Sequence, residues 1–148
     1  MKDPNLGLYM EKKIEIIEHI DPSVIYKDLS HPASGGICVF IGAVRDTTQN
    51  QKVNSLFFEA YEAMALKEME KIAAAASKQW NLNRLIMQHA VGDKKVEEPV
   101  VLVGASSAHR DDCFEACRFL IDTLKEKVPI WKKEFFDGKD EVWVTPHP

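Results

Sequence analysis

Apolar and polar positions follow two periods along the chain, and each period predicts one kind of secondary structure. Alternation of apolar and polar side chains is typical of a half-buried strand, and a short, almost wholly apolar run is typical of a central strand. With the β-branched and aromatic residues that favour strands, these patterns predict strands at residues 12–20, 36–44, 53–61, 83–91, 99–106, 131–136 and 141–144. The last two flank Asp137 and Gly138 and are expected to form a hairpin.

Two helices are predicted in the first half of the chain. Asp21 and Pro22 are typical of an N-cap and a first helical residue, so a short helix is expected to continue to about Leu29. A long helix is expected over residues 62–80, where apolar side chains recur at helical spacing and predict a buried face. These side chains are Ala65, Met69, Ile72, Ala76 and Trp80.

A third helix is expected to begin within residues 107–112, where two aspartates complement the positive end of the helix dipole. It should end near Val128, because the proline that follows disfavours the helical conformation there. Its buried side is predicted by residues at helical spacing, which are Cys113, Cys117, Leu120, Leu124 and Val128. Lys125 lies off this stripe, and the two cysteines are interpreted as small core residues.

The order of elements, β-α-β-β-α-β-β-α-β-β, predicts an α+β fold with helices packed on a mixed, largely antiparallel sheet. No repeat, linker or low-complexity stretch interrupts this order, so a single domain over residues 1–148 is expected. The polar stretch up to Gln51 is interpreted as a mobile loop. Residues 92–98 are interpreted as a charged turn with solvated side chains at Lys94, Lys95, Glu97 and Glu98.

Composition and charge narrow the kind of ligand that the chain can bind. The formal net charge is −4, so the protein is not built to coat nucleic acid, and a local positive site would suit a small anion. No apolar run approaches the length of a membrane span and the first residues lack a signal-peptide core, so a cytoplasmic location without membrane contact is expected. The three cysteines include no C-x-x-C pair and the five histidines show no ligand spacing. No disulfide framework, no metal and no cofactor are therefore expected.

Residues 125–134 hold four lysines around an apolar Val-Pro-Ile-Trp segment. Lys125 is expected on the last turn of the third helix, and Lys132 and Lys133 on the strand that leaves it. A helix end followed by a strand can bring such ammonium groups to one anionic ligand. A solvated charged surface is the alternative, but the apolar segment argues against it, and only Lys127 is interpreted as solvated.

Residues elsewhere in the chain are candidates for the same pocket. Arg45 follows a buried strand that contains Gly42, a residue that weakens a strand unless something must approach its backbone. His109 and Arg110 occupy a strand-to-helix junction, where backbone N–H groups point at any bound anion. A surface arginine and a structural histidine are the alternatives. With the lysines, these residues would form a positive pocket, offset by Glu134, in which one lysine could serve as an acid–base group.

Four motifs carry most of this chemistry: FIGAVR at 40–45, FEAYEAMA at 58–65, SSAHR at 106–110 and LKEKVPIWKKE at 124–134. In this order and spacing they resemble the large, catalytic subunit of molybdopterin synthase, the MoaE family. The resemblance implies an α/β hammerhead-type fold and an enzyme, a sulfurtransferase of molybdenum cofactor biosynthesis. Members of the family add two sulfurs to cyclic pyranopterin monophosphate (precursor Z), which forms the molybdopterin dithiolene.

The resemblance also implies partners and site residues. Sulfur arrives as a thiocarboxylate on the C-terminal Gly-Gly of a small ubiquitin-like sulfur-carrier subunit, and a homodimer of large subunits binds these carriers in a heterotetramer. Lys125 and Lys132 match the lysines associated with catalysis. The implied substrate-binding positions are Ala43, Val44, Arg45, His109, Arg110, Lys125, Lys132, Lys133 and Glu134. Family members commonly have an arginine where this chain has Ala90, so this chain lacks any ligand contact that such an arginine makes.

Two other functions compete with the enzyme. One is a non-catalytic binding module for a phosphorylated small molecule, which would need the arginines and His109 but not both Lys125 and Lys132. The other is a scaffold whose basic groove docks the tail of a partner, which would need neither His109 nor Arg45. The chain keeps all of these residues, which favours the enzyme, and it has no Ser-His-Asp order, Walker loop or Rossmann fingerprint.

Overall fold

Helices separate groups of strands along the chain in the computed structural model, which describes residues 7, 9–137 and 141–144. The strands are β1 (Glu11–Ile17), β2 (Gly36–Ala43), β3 (Thr47–Thr48), β4 (Gln51–Ala60), β5 (Leu82–Ala90), β6 (Gly92–Lys95), β7 (Pro99–Ser107), β8 (Ile130–Phe136) and β9 (Glu141–Val144). The helices are α1 (Ile25–Leu29), which follows a 3₁₀ turn (Pro22–Val24), α2 (Glu62–Gln79) and α3 (Arg110–Lys127). The predicted α+β class is therefore confirmed.

The first sheet has the strand order β1-β5-β7-β2, in which β1 runs parallel to β5 and the other neighbours are antiparallel. α3 lies on β7 and β2, and α2 packs against α3 and β1. Val103 of β7 joins the main core formed with these helices, whereas Leu102 joins a smaller core with Leu29 of α1. Both faces of β7 are thus buried, which explains its almost wholly apolar sequence.

The second sheet is built on β4, which pairs with β8 along one edge and with β6 along the other. β3 folds back on the start of β4, and β9 extends the sheet beyond β8. The predicted hairpin of the last two strands is confirmed by the antiparallel pairing of β8 and β9. Its turn residue Gly138 lies outside the described residues.

The expected mobile loop after β2 is a β-hairpin instead. Thr47 and Thr48 pair with Lys52 and Gln51, and the two turn residues Gln49 and Asn50 have φ angles of 49° and 66°. Two consecutive left-handed residues match the geometry of a tight hairpin turn. This turn could not be predicted from the sequence, because Gln-Asn takes the place of the usual Asn-Gly or Asp-Gly.

The expected charged turn at residues 92–98 is also corrected, since its first half is strand β6 and Lys94 is buried. The Lys94 side chain is only 1% exposed, its Nζ donates a hydrogen bond to the carbonyl oxygen of Glu18, and it lies 3.4 Å from Glu98 Oε2. Lys95 and Glu97 are exposed as expected, and Glu98 is half-buried. A lysine stem is apolar enough to be buried where its ammonium finds partners, which a charge count along the sequence does not reveal.

The helix boundaries follow the predicted signals. The Asp21 side chain accepts a hydrogen bond from the backbone N–H of Ser23, and α3 ends before Val128, whose extended ψ of 126° precedes Pro129. Cys113 and Cys117 are buried and, like Cys38, carry free thiols. Within the described part of the chain, no helix is long and apolar enough to cross a membrane.

Candidate functional site

A cavity of about 210 Å³ lies where the end of β2, the last turn of α3 and the start of β8 meet. Its apolar lining comes from these elements and from β4 and β7, β5 contributes only His89, and its polar lining includes three cationic side chains. The lining residues are Gly42, Ala43, Arg45, Thr48, Leu56, Phe58, His89, Val100, Val101, Leu124, Lys125, Val128, Ile130, Lys132 and Glu134. Five predicted site residues therefore share one cavity: Ala43, Arg45, Lys125, Lys132 and Glu134.

The apolar segment between α3 and β8 brings Lys125 and Lys132 to this cavity. Val128 and Ile130 are 2% and 7% exposed, so both are anchored in the core. The Ile130 N–H donates to the Val128 carbonyl at 3.0 Å, which closes a tight bend around Pro129. Because the bend is anchored, the end of the helix and the start of the strand keep a fixed angle.

Strand alternation separates the two neighbouring lysines of β8. Lys132 and Glu134 line the cavity, and Lys132 Nζ lies 3.6 Å from Glu134 Oε1. Lys133 points to the opposite face, where its Nζ lies 2.6 Å from Glu141 Oε1 and 5.0 Å from the centre of the Trp143 ring. Lys133 is therefore outside the cavity, although its sequence position is adjacent.

The same alternation operates at the end of β2. Ala43 and Arg45 line the cavity, whereas the Val44 side chain between them is 3% exposed and belongs to the main core. Gly42 is required by close packing, because a Cβ there would lie 2.6 Å from Val101 Cγ1. The glycine seen in the sequence thus marks a close approach, as expected.

His89 is a cavity residue that sequence reasoning missed. It is 7% exposed, and its ring meets Phe58 edge-on with centroids 5.2 Å apart. Its Nδ1 lies 2.8 Å from the Ala90 carbonyl oxygen; since a carbonyl can only accept, Nδ1 carries the proton and Nε2 the lone pair. Burial lowers the pKa of His89 to about 4, the bond to Ala90 opposes part of that shift, and the charge of Lys125 adds to it.

The resemblance includes His89, because family members commonly have His-Arg where this chain has His89 and Ala90, but it gives the histidine no role. It lies within an apolar strand, where a lone histidine is more often part of the core. The neutral imidazole nevertheless adds an uncharged polar group to a lining that is partly apolar and partly charged.

His109 and Arg110 lie far from this cavity in the same chain. Both are exposed at the start of α3, where His109 is the N-cap without a side-chain capping bond. Lys125 lies fifteen positions further along the same helix than Arg110, which places roughly 22 Å of helix axis between them. One chain therefore cannot bring Arg110 and Lys125 to the same small ligand.

Nothing in the described residues is arranged as a metal site. Within residues 7, 9–137 and 141–144, no three side chains of His, Cys, Asp or Glu are grouped so that they could hold a metal ion. The polar side chains that line the cavity are three cations, one carboxylate, one hydroxyl and one neutral imidazole.

Comparisons with known proteins show which family the chain resembles in sequence and fold. The sequence profile of the MoaE protein family matches residues 16–127. The molybdopterin synthase catalytic subunit of Drosophila melanogaster is 44% identical over 126 residues, which are 84% of this chain and 34% of that protein. The chain thus spans about a third of the length of that relative.

Solved structures share the fold along nearly the whole described chain. The crystal structure of molybdopterin synthase from Staphylococcus aureus aligns with a TM-score of 0.82 at 32% identity, covering 89% of this chain and 95% of that one. A complex of subunits 1 and 2 of molybdopterin-converting factor from Helicobacter pylori aligns with a TM-score of 0.67 at 25% identity, covering 90% and 89%. The fold expected from the resemblance is confirmed, and since the family profile covers most of the sequence, the chain belongs to the MoaE protein family.

Proposed function

We propose that this chain is the catalytic subunit of a molybdopterin synthase, which transfers sulfur to cyclic pyranopterin monophosphate and forms the molybdopterin dithiolene. One observation carries the proposal: Arg45, Lys125 and Lys132 line a single cavity together with a cluster of apolar side chains. Such a cavity suits a ligand that combines a flat ring with an anionic group. The family and the names of the relatives support the same chemistry.

The three cations take different roles in this account. Arg45 binds the phosphate of the substrate, because a guanidinium can hold such a group through two parallel hydrogen bonds. Lys125 and Lys132 hold the carrier's thiocarboxylate near the pterin and stabilise the negative charge that develops as sulfur attacks. An ammonium group can also give a proton to a leaving oxygen as the phosphate-bearing ring opens.

Glu134 orients Lys132 in this account. Its carboxylate is buried, and its Oε1 lies 3.6 Å from Lys132 Nζ, so it holds the ammonium on the cavity side of β8. Ala43 and the apolar wall would contact the ring of the substrate. For Val44 and Lys133, which face away from the cavity, the substrate contacts implied by the resemblance stay predictions.

His109 and Arg110 can take part only if they come from a second copy of the chain. We propose a homodimer of large subunits in which these two exposed residues reach the partner's site. β2 lies at the edge of the first sheet and leaves Phe40 and Ile41 39% and 41% exposed. An apolar strand edge of this kind supports contact with another copy.

We propose a small ubiquitin-like sulfur-carrier subunit as the other partner, with its C-terminal Gly-Gly thiocarboxylate entering the cavity. The Helicobacter pylori complex, which contains two subunits of molybdopterin-converting factor, supports a second subunit. Two carriers on one homodimer would form a heterotetramer. A single domain over residues 1–148 and a cytoplasmic location stay predictions.

Reconstitution tests the proposed function. The purified chain is mixed with cyclic pyranopterin monophosphate and a carrier that ends in a Gly-Gly thiocarboxylate, and the product is followed by mass spectrometry. We expect a pterin that has gained two sulfurs, and no such product with a carrier that ends in an ordinary carboxylate. Absence of product, with retained binding of the pterin phosphate, would favour the non-catalytic binding module.

A further inference from the structure

Lys94 lies outside the cavity, yet it is the charged residue with the most deeply buried side chain in the described part of the chain. Its side chain is 1% exposed. A buried ammonium group is costly unless it is paired and hydrogen-bonded. Lys94 meets both conditions, because its Nζ donates to the Glu18 carbonyl oxygen and forms an ion pair with Glu98 at 3.4 Å.

The Glu98 carboxylate also contacts Lys95 and His19, which together with Lys94 and Glu98 form one polar cluster. Its Oε1 accepts a hydrogen bond from the Lys95 backbone N–H at 3.1 Å, and its Oε2 lies 3.3 Å from His19 Nδ1. The backbone hydrogen bond from Lys95, with smaller contributions from Lys94 and His19, lowers the pKa of Glu98. The ionised carboxylate therefore ties the turn between β6 and β7 to the buried lysine.

The backbone of the 94–98 turn bonds to both the N–H and the carbonyl of Val44, the residue before Arg45. The Val44 N–H donates to the Glu98 carbonyl at 3.1 Å, and the Glu97 N–H donates to the Val44 carbonyl at 2.9 Å. Glu97 has a φ of 76°, a left-handed conformation that is uncommon for a residue with a side chain. The cluster around Lys94 therefore maintains a turn conformation that the local sequence alone does not favour.

The ordinary strand ladder does not reach Val44. The register of β2 against β7 shifts between Gly42 and Ala43, and Ala43 lies opposite Pro99, which has no N–H to donate. On the other side of Arg45, the Asp46 carbonyl accepts from the Val53 N–H at 2.8 Å. Arg45 is thus fixed by the β3–β4 hairpin on one side and by the 94–98 turn on the other.

We propose that Lys94 is a positioning residue for Arg45. By holding Glu98 and the 94–98 turn in place, it fixes the backbone of Val44 and so directs the Arg45 side chain into the cavity. The inference deepens the proposed function, because it rests on Arg45 as the residue that binds the anionic group of the substrate. Lys94 itself does not touch the cavity.

Amide hydrogen exchange tests the positioning without any turnover. Lys94→Met keeps the apolar stem and removes the ammonium. We expect exchange at the Val44 and Glu97 amides to become at least about tenfold faster. The Val53 amide is an internal control that should not change, and Lys95→Met, a change at the exposed neighbour, should leave all three unchanged. Unchanged protection at Val44 in Lys94→Met would overturn the proposal.

Kinetics then separates positioning from a general structural role. Lys94→Met should raise KM for the pterin phosphate several-fold and leave kcat within about twofold. The reason is that a misplaced Arg45 would bind the substrate and the transition state more weakly by the same amount. In an Arg45→Ala background the same substitution should have no further effect on KM. An equal rise in both backgrounds would contradict a route through Arg45.

A second variant keeps the test decisive if Lys94→Met does not fold. Glu98→Gln keeps the size of the side chain and the backbone groups that can bond to Val44, but it weakens the ion pair with Lys94, so the Val44 and Glu97 amides should exchange faster by a smaller factor. If the unmodified chain produces no molybdopterin, the proposed function fails, but the exchange measurement still decides whether Lys94 holds Val44.

Discussion

Acid should destabilise this protein through His89, and the size of the effect follows from its burial. The pKa of His89 is about 4 in the folded chain, against about 6.5 for an unfolded histidine. As the pH falls below about 6.5, the unfolded chain binds a proton that the folded chain does not. The contribution of neutral His89 to stability is therefore fully present above the unfolded pKa and is lost as the pH falls towards 4.

The magnitude can be worked from linkage. Between pH 7 and pH 5 this one group should remove about 2 kcal/mol from the free energy of unfolding, and the full loss below pH 4 approaches about 3 kcal/mol. Solvent screens this group little, because the side chain is buried. This is a large part of the stability of an ordinary domain.

Urea denaturation at pH 7 and pH 5 measures the effect when the chain is compared with His89→Gln, which cannot titrate. The free energy of unfolding should fall by about 2 kcal/mol more in the unmodified chain than in the variant. Equal losses in the unmodified chain and in His89→Gln would refute the burial of a neutral imidazole.

Three further substitutions probe the site and its frame. Gly42→Ala places a Cβ against Val101 and should lower the free energy of unfolding by about 1–3 kcal/mol, with recovery on Val101→Ala; an unchanged melting temperature would contradict the close packing. Gln49→Gly relieves a left-handed residue and should stabilise by about 1 kcal/mol, and a lower melting temperature would argue against the hairpin turn. Glu134→Gln removes the charge beside Lys132 and should lower kcat/KM about tenfold, whereas wild-type kinetics would remove Glu134 from the site.

The strands and helices with a clear hydrophobic period could be predicted from the sequence. β7 is almost wholly apolar because both of its faces are buried, and the long α2 and α3 each show a single buried stripe. β3 and β6 could not be predicted. β3 depends on a Gln-Asn turn, and β6 is a polar edge strand that is held to β4 by backbone pairing. Its buried Lys94 is explained by the Glu18 carbonyl, a partner distant in sequence.

The part of the site formed by Lys125 and Lys132 could be predicted, because these residues are close in sequence. Lys125 and Lys132 are joined by a short segment whose proline and apolar residues fix the bend, so their approach to one cavity is encoded nearby. His89 could not be predicted, because its place in the cavity depends on Phe58 and Lys125 from distant elements. The distance between Arg110 and Lys125 follows from the length of α3 and requires a second chain if both serve one site.

Turnover by lysine variants tests the central claim most directly. Lys125→Ala and Lys132→Ala are assayed for molybdopterin formation with a thiocarboxylated carrier, beside Lys127→Ala, which changes an exposed lysine of the same helix turn outside the cavity lining. The account predicts a loss of at least about a hundredfold in the first two variants and turnover within about twofold of the unmodified chain in the third. Near wild-type turnover in both Lys125→Ala and Lys132→Ala would contradict it.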